Sequence, residues 1–171
     1  SGGYQRLAEL LQKTGRLEDL NKHINLCMQK FPEETFFIKM QGISAAANEN
    51  YSEAIPAFAR AFSINQNDHE VADALGICLQ NINHYDEAVL YHAHALELQP
   101  TNPAYALRYG LAFMGVGEHE AALELFRHAV NLSPNFIDAY AYLGYELHNA
   151  GQLEEAREIF RQGLERDPAH A

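Results

Sequence analysis

A repeat of 34 residues constrains this chain more than any other feature of its sequence. The segment "GYELHNAGQLEEAREIFRQGLERDP" at 144–168 aligns with "GLAFMGVGEHEAALELFRHAVNLSP" at 110–134, and the same offset reaches "GICLQNINHYDEAVLYHAHALELQP" at 76–100. Two further copies are "GISAAANENYSEAIPAFARAFSINQ" at 42–66 and "AELLQKTGRLEDLNKHINLCMQKFP" at 8–32. Five consecutive repeats therefore occupy residues 1–34, 35–68, 69–102, 103–136 and 137–170. Self-similarity at this period indicates stacked copies of one supersecondary unit.

Two columns of small residues predict that each repeat is a pair of closely packed helices. The eighth position holds Ala8, Gly42, Gly76, Gly110 and Gly144, and the twentieth holds Leu20, Ala54, Ala88, Ala122 and Ala156. Between these columns lie the turn residues Gly15, Asn83, Gly117 and Gly151. A short turn makes the two helices antiparallel, and small side chains let them approach closely where they cross. Larger side chains, such as Phe58, Phe126 and Phe160 in the twenty-fourth column, are expected to fill the remaining space.

Helix boundaries can be read from caps and prolines. In "TNPAYAL", Asn102 is suited to cap a helix whose first position is Pro103. The second helix of a repeat is expected to stop before a proline, at Pro32, Pro100, Pro134 and Pro168. The composition, rich in Ala, Leu and Glu, favours helix throughout.

This pattern resembles the tetratricopeptide repeat (TPR), a helix–turn–helix of the same length, and the resemblance covers essentially the whole chain. It implies an all-α fold, a right-handed superhelical solenoid of antiparallel helix pairs. It further implies that first helices line a concave groove and second helices form the convex back. We expect residues 1–171 to form a single TPR domain, with residues 1–3 read as a tag remnant.

Charge and cysteine content exclude several classes of partner. The net charge is −11, from 12 Lys+Arg against 23 Asp+Glu, which disfavours binding to nucleic acid or to an anionic membrane surface. Cys27 and Cys78 do not form a CxxC motif and are expected to be small buried side chains. No apolar run is long enough to insert into a membrane. The compartment is unknown from the sequence, although a cytoplasmic location is favoured.

No motif predicts catalysis, a cofactor or a metal site, so we expect a protein that is not an enzyme. His92 and His94 form a His-x-His spacing, but successive helical residues rotate by about 100°, so the two rings diverge and cannot grip one ion. His92 occupies the column that holds Ile24, Phe58, Phe126 and Phe160. It is therefore expected to be a neutral, hydrogen-bonded histidine in the core.

Partner-binding residues are expected on the groove-facing stripe of the first helices. The family resemblance assigns this stripe to six positions of each repeat, which follow the helical period. Its predicted binding residues are Phe36, Lys39, Met40, Ile43, Asp73, Ile77, Leu107, Arg108, Leu111, Met114, Tyr142 and Tyr145. An apolar stripe exposed to solvent usually marks a binding surface. Some relatives hold a C-terminal carboxylate in a five-residue clamp, and only Lys39 and Arg108 match that pattern. A receptor of that type is therefore disfavoured.

The sequence thus favours a non-catalytic protein–protein interaction module that binds a peptide or segment of a partner in the groove. Apolar residues would anchor the ligand, and Lys39 and Arg108 would orient it. One alternative is a chaperone similar to those of type III secretion translocators, which are small, acidic TPR proteins. Another is an excised TPR regulatory region of a larger enzyme, such as a glycosyltransferase or sulfotransferase. Self-association through exposed ends of the helical array also stays open.

Overall fold

The computed structural model describes residues 2–166, and these form ten α-helices and no strand. The helices are α1 (Gly2–Lys13), α2 (Leu17–Lys30), α3 (Thr35–Ala47), α4 (Tyr51–Ile64), α5 (His69–Asn81), α6 (Tyr85–Leu98), α7 (Pro103–Val116), α8 (His119–Leu132), α9 (Ile137–Asn149) and α10 (Leu153–Arg166). Each predicted repeat contributes two helices, so the expected all-α architecture is confirmed.

The turn within each repeat depends on one residue in the left-handed region of backbone space. Gly15, Asn83, Gly117 and Gly151 have φ values of 68°, 62°, 95° and 76°. Their predicted role as turn residues is confirmed. The second repeat uses Glu49 at the same position, with φ of 57°. A glutamate there is strained, because its Cβ crowds the backbone in this conformation.

Helix ends also follow the expected signals. The Asn102 side chain accepts a hydrogen bond from the Ala104 amide at 3.0 Å, and Pro103 takes the first helical position. The helices α2, α6 and α8 each end two residues before Pro32, Pro100 and Pro134. Pro168, the fourth predicted stop, lies outside the described residues.

The chain divides into two compact units, Ser1–Ile82 and Asn83–Ala171. The N-terminal unit contains α1–α5 and the C-terminal unit contains α6–α10. The boundary falls inside the third repeat, between its two helices. A single domain of five repeats stays a prediction.

In the N-terminal unit, consecutive helices pack against each other, and α3 also contacts both α1 and α5. One core cluster is formed by Ala8, Leu11, Leu20, Ile24 and Met40, with Phe36 and Ile43 packed against it. The ring of Phe58 covers Gly42 so closely that a Cβ built on this glycine would lie 2.7 Å from the ring. The small residue in the eighth column is therefore required for the close approach of α3 and α4.

The C-terminal unit repeats this contact twice. A Cβ on Gly110 would lie 2.5 Å from the Phe126 ring, and one on Gly144 would lie 2.6 Å from the Phe160 ring. Its core cluster consists of Ala106, Leu107, Ala122, Phe126, Ala129, Ala139, Leu143, Leu147 and Ala156. Within each of these repeats, the aromatic ring of the twenty-fourth column thus packs on the glycine of the eighth column.

Two polar residues are buried in α6 and α9. His92 has no exposed surface, and no buried side-chain nitrogen or oxygen among the described residues lacks a hydrogen-bond partner. The prediction of a hydrogen-bonded core histidine is therefore confirmed. Glu146, which the sequence did not single out, is also buried; its carboxylate lies 2.7 Å from His119 Nδ1 and accepts a longer bond from Asn149.

Candidate functional site

The predicted stripe forms an apolar pocket in the N-terminal unit, between the first helices of the second and third repeats. Ile43 and Ala46 of α3 face Ala74 and Ile77 of α5 across a space of about 230 Å³. Tyr51, Phe58 and Cys78 complete the lining, with Asn81 at the C-terminal end of α5. Ile43 and Ile77 are half-buried, so each offers part of its side chain to a ligand.

The pocket lining offers mainly apolar contact, because its thiol is unreactive and its amide is already hydrogen-bonded. Burial raises the pKa of the Cys78 thiol to about 11, so this thiol remains protonated at neutral pH and is a poor nucleophile. The Asn81 side chain donates to the Ile77 carbonyl oxygen at 2.8 Å. Such a lining suits an aliphatic or aromatic group.

Lys39 is paired within the protein. Its Nζ lies 2.6 Å from a Glu70 carboxylate oxygen and 3.1 Å from one of Asp68. Asp68 also caps α5, accepting from the amides of Glu70 and Val71. Burial by itself lowers the pKa of Lys39, but the hydrogen bonds from Glu70 and Asp68 outweigh it, so its pKa is raised. Two carboxylates share one ammonium here, which leaves the cluster with a net negative charge.

This pairing changes what the Lys39 region offers to a ligand. A partner carboxylate would have to compete with two protein carboxylates for the same ammonium. Lys39 and Ile43 are four residues apart on α3, so the charged cluster and the apolar pocket lie about one helical turn apart on the same face. A basic group beside an apolar anchor therefore complements this surface better than an acidic one.

Three of the predicted binding residues are buried in the structure. Met40, Asp73 and Leu107 expose only 4%, 7% and 6% of their surface. Met40 and Leu107 belong to the core clusters of their units. Phe36 is half-buried and packs edge-on against Phe37. These side chains lie beneath the surface and support it, whereas Ile43 and Ile77 are partly exposed on it.

The C-terminal unit presents the other predicted residues on α7 and α9. Tyr142 and Tyr145 expose 37% and 54% of their surface, and the Tyr142 ring stacks on Phe126 at 5.8 Å between centroids. Leu111 and Met114 are half-buried against the core cluster, and Arg108 is half-buried on α7. An aromatic surface backed by a rigid ring suits apolar contact with a partner.

The sequence stripe did not include Tyr51, Phe58 or Cys78, which lie in other columns of the repeat. Phe58 and Cys78 were recognisable only as core positions. Tyr51 begins α4. The sequence contains a signal for this position, because the third repeat has a tyrosine in the same column, Tyr85. In the C-terminal unit, a Cβ on Gly115 would lie 2.3 Å from the Tyr85 ring. In the second and third repeats this column therefore supplies a tyrosine that packs next to a first helix.

The part of the chain that the structure describes contains no group of three or more His, Cys, Asp or Glu residues placed to hold a metal ion. It also contains no helix long and apolar enough to cross a membrane.

Comparisons with known proteins agree with this architecture. Two family models, each described as tetratricopeptide repeat, match residues 113–171 and 71–104. A comparison with curated protein sequences found no match.

Several solved structures have the same fold. A crystal structure of MamA is 19% identical, covers 95% of each chain and has a TM-score of 0.89. MamA 41-end from Desulfovibrio magneticus RS-1 is 20% identical, covers 97% of this chain and 94% of that one, and has a TM-score of 0.92. YrrB, described as "a TPR protein with an unusual peptide-binding site", is 21% identical, covers 98% of this chain and 86% of that one, and has a TM-score of 0.85.

Paired helices repeated at one period, with glycine and aromatic columns in register, define an all-α helical-repeat protein of the solenoid class. The chain belongs to the tetratricopeptide repeat family.

Proposed function

We propose that this protein is a non-catalytic interaction module that binds a partner segment on the surface formed by its first helices. The observation that carries the proposal is the apolar pocket of about 230 Å³ between α3 and α5, lined by Ile43, Ala46, Ala74 and Ile77. Helical-repeat proteins present extended surfaces, on which partners bind by apolar anchors. YrrB, with the same fold, is described as having a peptide-binding site, which supports a peptide as the ligand.

The charge beside the pocket defines the ligand further. Lys39, Asp68 and Glu70 carry a net negative charge, and the whole chain carries −11. The ligand would therefore place an aliphatic or aromatic side chain in the pocket and a basic side chain about one turn away. This revises the orienting role first assigned to Lys39, since its ammonium is shared between two carboxylates.

A phage-displayed peptide library selected on the full chain tests this proposal. We expect enriched peptides that combine a large apolar residue with a nearby Lys or Arg. Ile77→Glu should weaken their binding at least about tenfold, because it places a charge in the apolar pocket. Ala46→Leu, which fills the space without adding charge, should weaken it as well.

The matched control is Ile64→Glu, since Ile64 lies at the end of α4, is 47% exposed and is absent from the pocket lining. Circular dichroism verifies that each variant keeps its helicity. Failure to enrich any peptide, or equal weakening by Ile64→Glu and Ile77→Glu, would place the binding surface elsewhere.

A further inference from the structure

Two places where the repeat pattern is broken meet in one polar pocket of the N-terminal unit. The twenty-first position is apolar in the three middle repeats, as Ile55, Val89 and Leu123, but is Asn21 in the first. The seventh position is Leu or Tyr in the other repeats, but is Gln41 in the second. Both amides line a space of about 240 Å³ between α2, α3 and the start of α4.

In the fourth repeat, the twenty-first position carries an apolar side chain that packs against a core. In the C-terminal unit, Leu123 packs against the core cluster that contains Leu143 and Leu147. In the N-terminal unit, Asn21 instead accepts a 2.6 Å hydrogen bond from the buried Ser44 hydroxyl. The polar replacements therefore line a hydrogen-bonding pocket at a position where the fourth repeat packs an apolar side chain.

This pocket lies on the opposite side of α3 from the apolar pocket. Gln41, Ala45 and Asn48 follow one face of the helix, whereas Ile43 and Ala46 follow a face about 180° away. A ligand in the polar pocket would therefore not occupy the site proposed above. The two sites can be tested independently.

Hydrogen bonds fix the orientation of the amides. Glu53 is an acceptor, so the NH₂ groups of Gln41 and Asn50 must face its carboxylate, at 3.4 and 3.0 Å. Asn48 likewise donates its NH₂ to the Ser44 carbonyl oxygen at 2.8 Å. The donor ends of Gln41, Asn48 and Asn50 are thus turned to the protein, and the carbonyl ends of Gln41 and Asn48 remain as acceptors. Together with the Glu53 carboxylate they make an acceptor-rich, negatively charged lining. Asn21 is oriented the other way, because its carbonyl oxygen accepts from Ser44 and its NH₂ end remains as a donor.

The lining has no positively charged side chain, and its remaining members are Asn25 and the apolar Ile24 and Ala45. A ligand that matches Glu53 and the carbonyl ends of Gln41 and Asn48 has several donors, a positive charge, and an apolar stem for Ile24 and Ala45. Arginine has all three, because its planar guanidinium carries five N–H donors at the end of a methylene chain. The volume suits one such side chain. We infer that this pocket binds an arginine side chain of a partner protein.

The test titrates the ¹⁵N-labelled full chain with acetyl-Gly-Arg-Gly-amide, following the side-chain NH₂ signals of Asn and Gln by NMR. Acetyl-Gly-citrulline-Gly-amide has nearly the same shape without the charge. We expect saturable shifts with the arginine peptide at millimolar concentration, and binding at least about tenfold weaker with the citrulline peptide.

Two variants locate the binding. Glu53→Gln removes the charge from an exposed side chain, and Asn21→Ile with Gln41→Leu fills the pocket with residues typical of the other repeats. Each should weaken the arginine peptide at least about tenfold. Glu87→Gln, at the same position in the third repeat, is the matched control and should have no effect.

The inference is overturned if the arginine peptide gives no saturable shift, if citrulline binds equally well, or if Glu53→Gln leaves binding unchanged. Equal loss with Glu87→Gln would show only a general charge effect and would overturn it too. Because Glu53→Gln alters an exposed residue, the test remains decisive even if the filled-pocket variant does not fold.

Discussion

Replacing Gly110 and Gly144 with alanine, one at a time, would measure how much each repeat depends on the contact between glycine and aromatic ring. Alanine favours the helix interior over glycine by about 1 kcal/mol, and this gain is common to both positions. A Cβ on Gly110 would lie 2.5 Å from the Phe126 ring, about 1 Å inside the usual distance between carbon atoms. The outcome therefore depends on whether the ring can move.

The two rings differ in their surroundings. Phe126 has no exposed surface and lies in the core cluster with Tyr142 stacked on it, whereas Phe160 is 40% exposed. Overpacking costs about 1–3 kcal/mol, and the closed surroundings of Phe126 place Gly110→Ala in the upper half of that range. The free energy of unfolding should therefore fall by about 1–2 kcal/mol after the helix gain of about 1 kcal/mol is subtracted. Phe160 can swing towards solvent, and the apolar contact it loses offsets the helix gain, so Gly144→Ala should change stability by less than about 0.5 kcal/mol.

Thermal unfolding followed by far-UV circular dichroism would show this difference as a Tm about 2–6 °C lower for Gly110→Ala than for Gly144→Ala. Both glycines lie in the C-terminal unit, so the comparison does not mix the stabilities of two units. The loss of stability caused by Gly110→Ala should be smaller in a Phe126→Leu background, because the smaller side chain relieves the clash with the new Cβ. Equal losses at the two glycines, or a more stable Gly110→Ala, would refute the reasoning.

Three further changes test other features of the structure. Glu49→Gly should raise the free energy of unfolding by about 0.5–1 kcal/mol, because glycine adopts the left-handed turn conformation without strain. His119→Ala should lower it by about 1–3 kcal/mol, since the buried Glu146 carboxylate loses its shortest hydrogen bond. Stability should also fall as pH rises from about 9 to about 11, because the unfolded Cys78 thiol ionises near 9.0 while burial raises its folded pKa to about 11. Cys78→Ala should lessen that fall. Urea denaturation measures all three effects.

Each of these tests has its own control. Glu49→Ala should give no gain, because alanine is strained in the same conformation. His119→Ala should cost little in a Glu146→Ala background, where no buried carboxylate is left without a partner. A pH dependence that is unchanged in Cys78→Ala would show that groups other than this thiol cause it.

Much of the helical organisation followed from the sequence, because it depends on local chemistry repeated at a fixed period. The turn at Gly117 and the cap at Asn102 require particular backbone and side-chain geometries, which few residues supply. The turn at Glu49 was not predicted, because the neighbouring helices impose a left-handed backbone conformation that glutamate does not favour. Only the alignment with the other repeats indicates that Glu49 occupies the turn position.

The candidate site was less predictable, because it depends on which side chains pair across helices. The sequence placed Lys39 on the stripe but did not show that Asp68 and Glu70 would both reach its ammonium. It placed Met40 and Leu107 there as well, although packing buries both. Helical periodicity gives the direction of a side chain to within tens of degrees, whereas burial is decided by ångström-scale packing.

The hydrogen bond between Asn21 and Ser44 has a consequence for the order in which the chain opens. In a repeat protein, the junction between neighbours carries much of the cooperativity, so a junction with polar atoms in its core is a weak link. The second repeat, in contrast, is held internally by the Phe58 ring on Gly42. Amide hydrogen exchange should therefore show α1 and α2 opening together, at lower free energy than α3 and α4. The first repeat would then detach and redock as one piece while its neighbour stays folded.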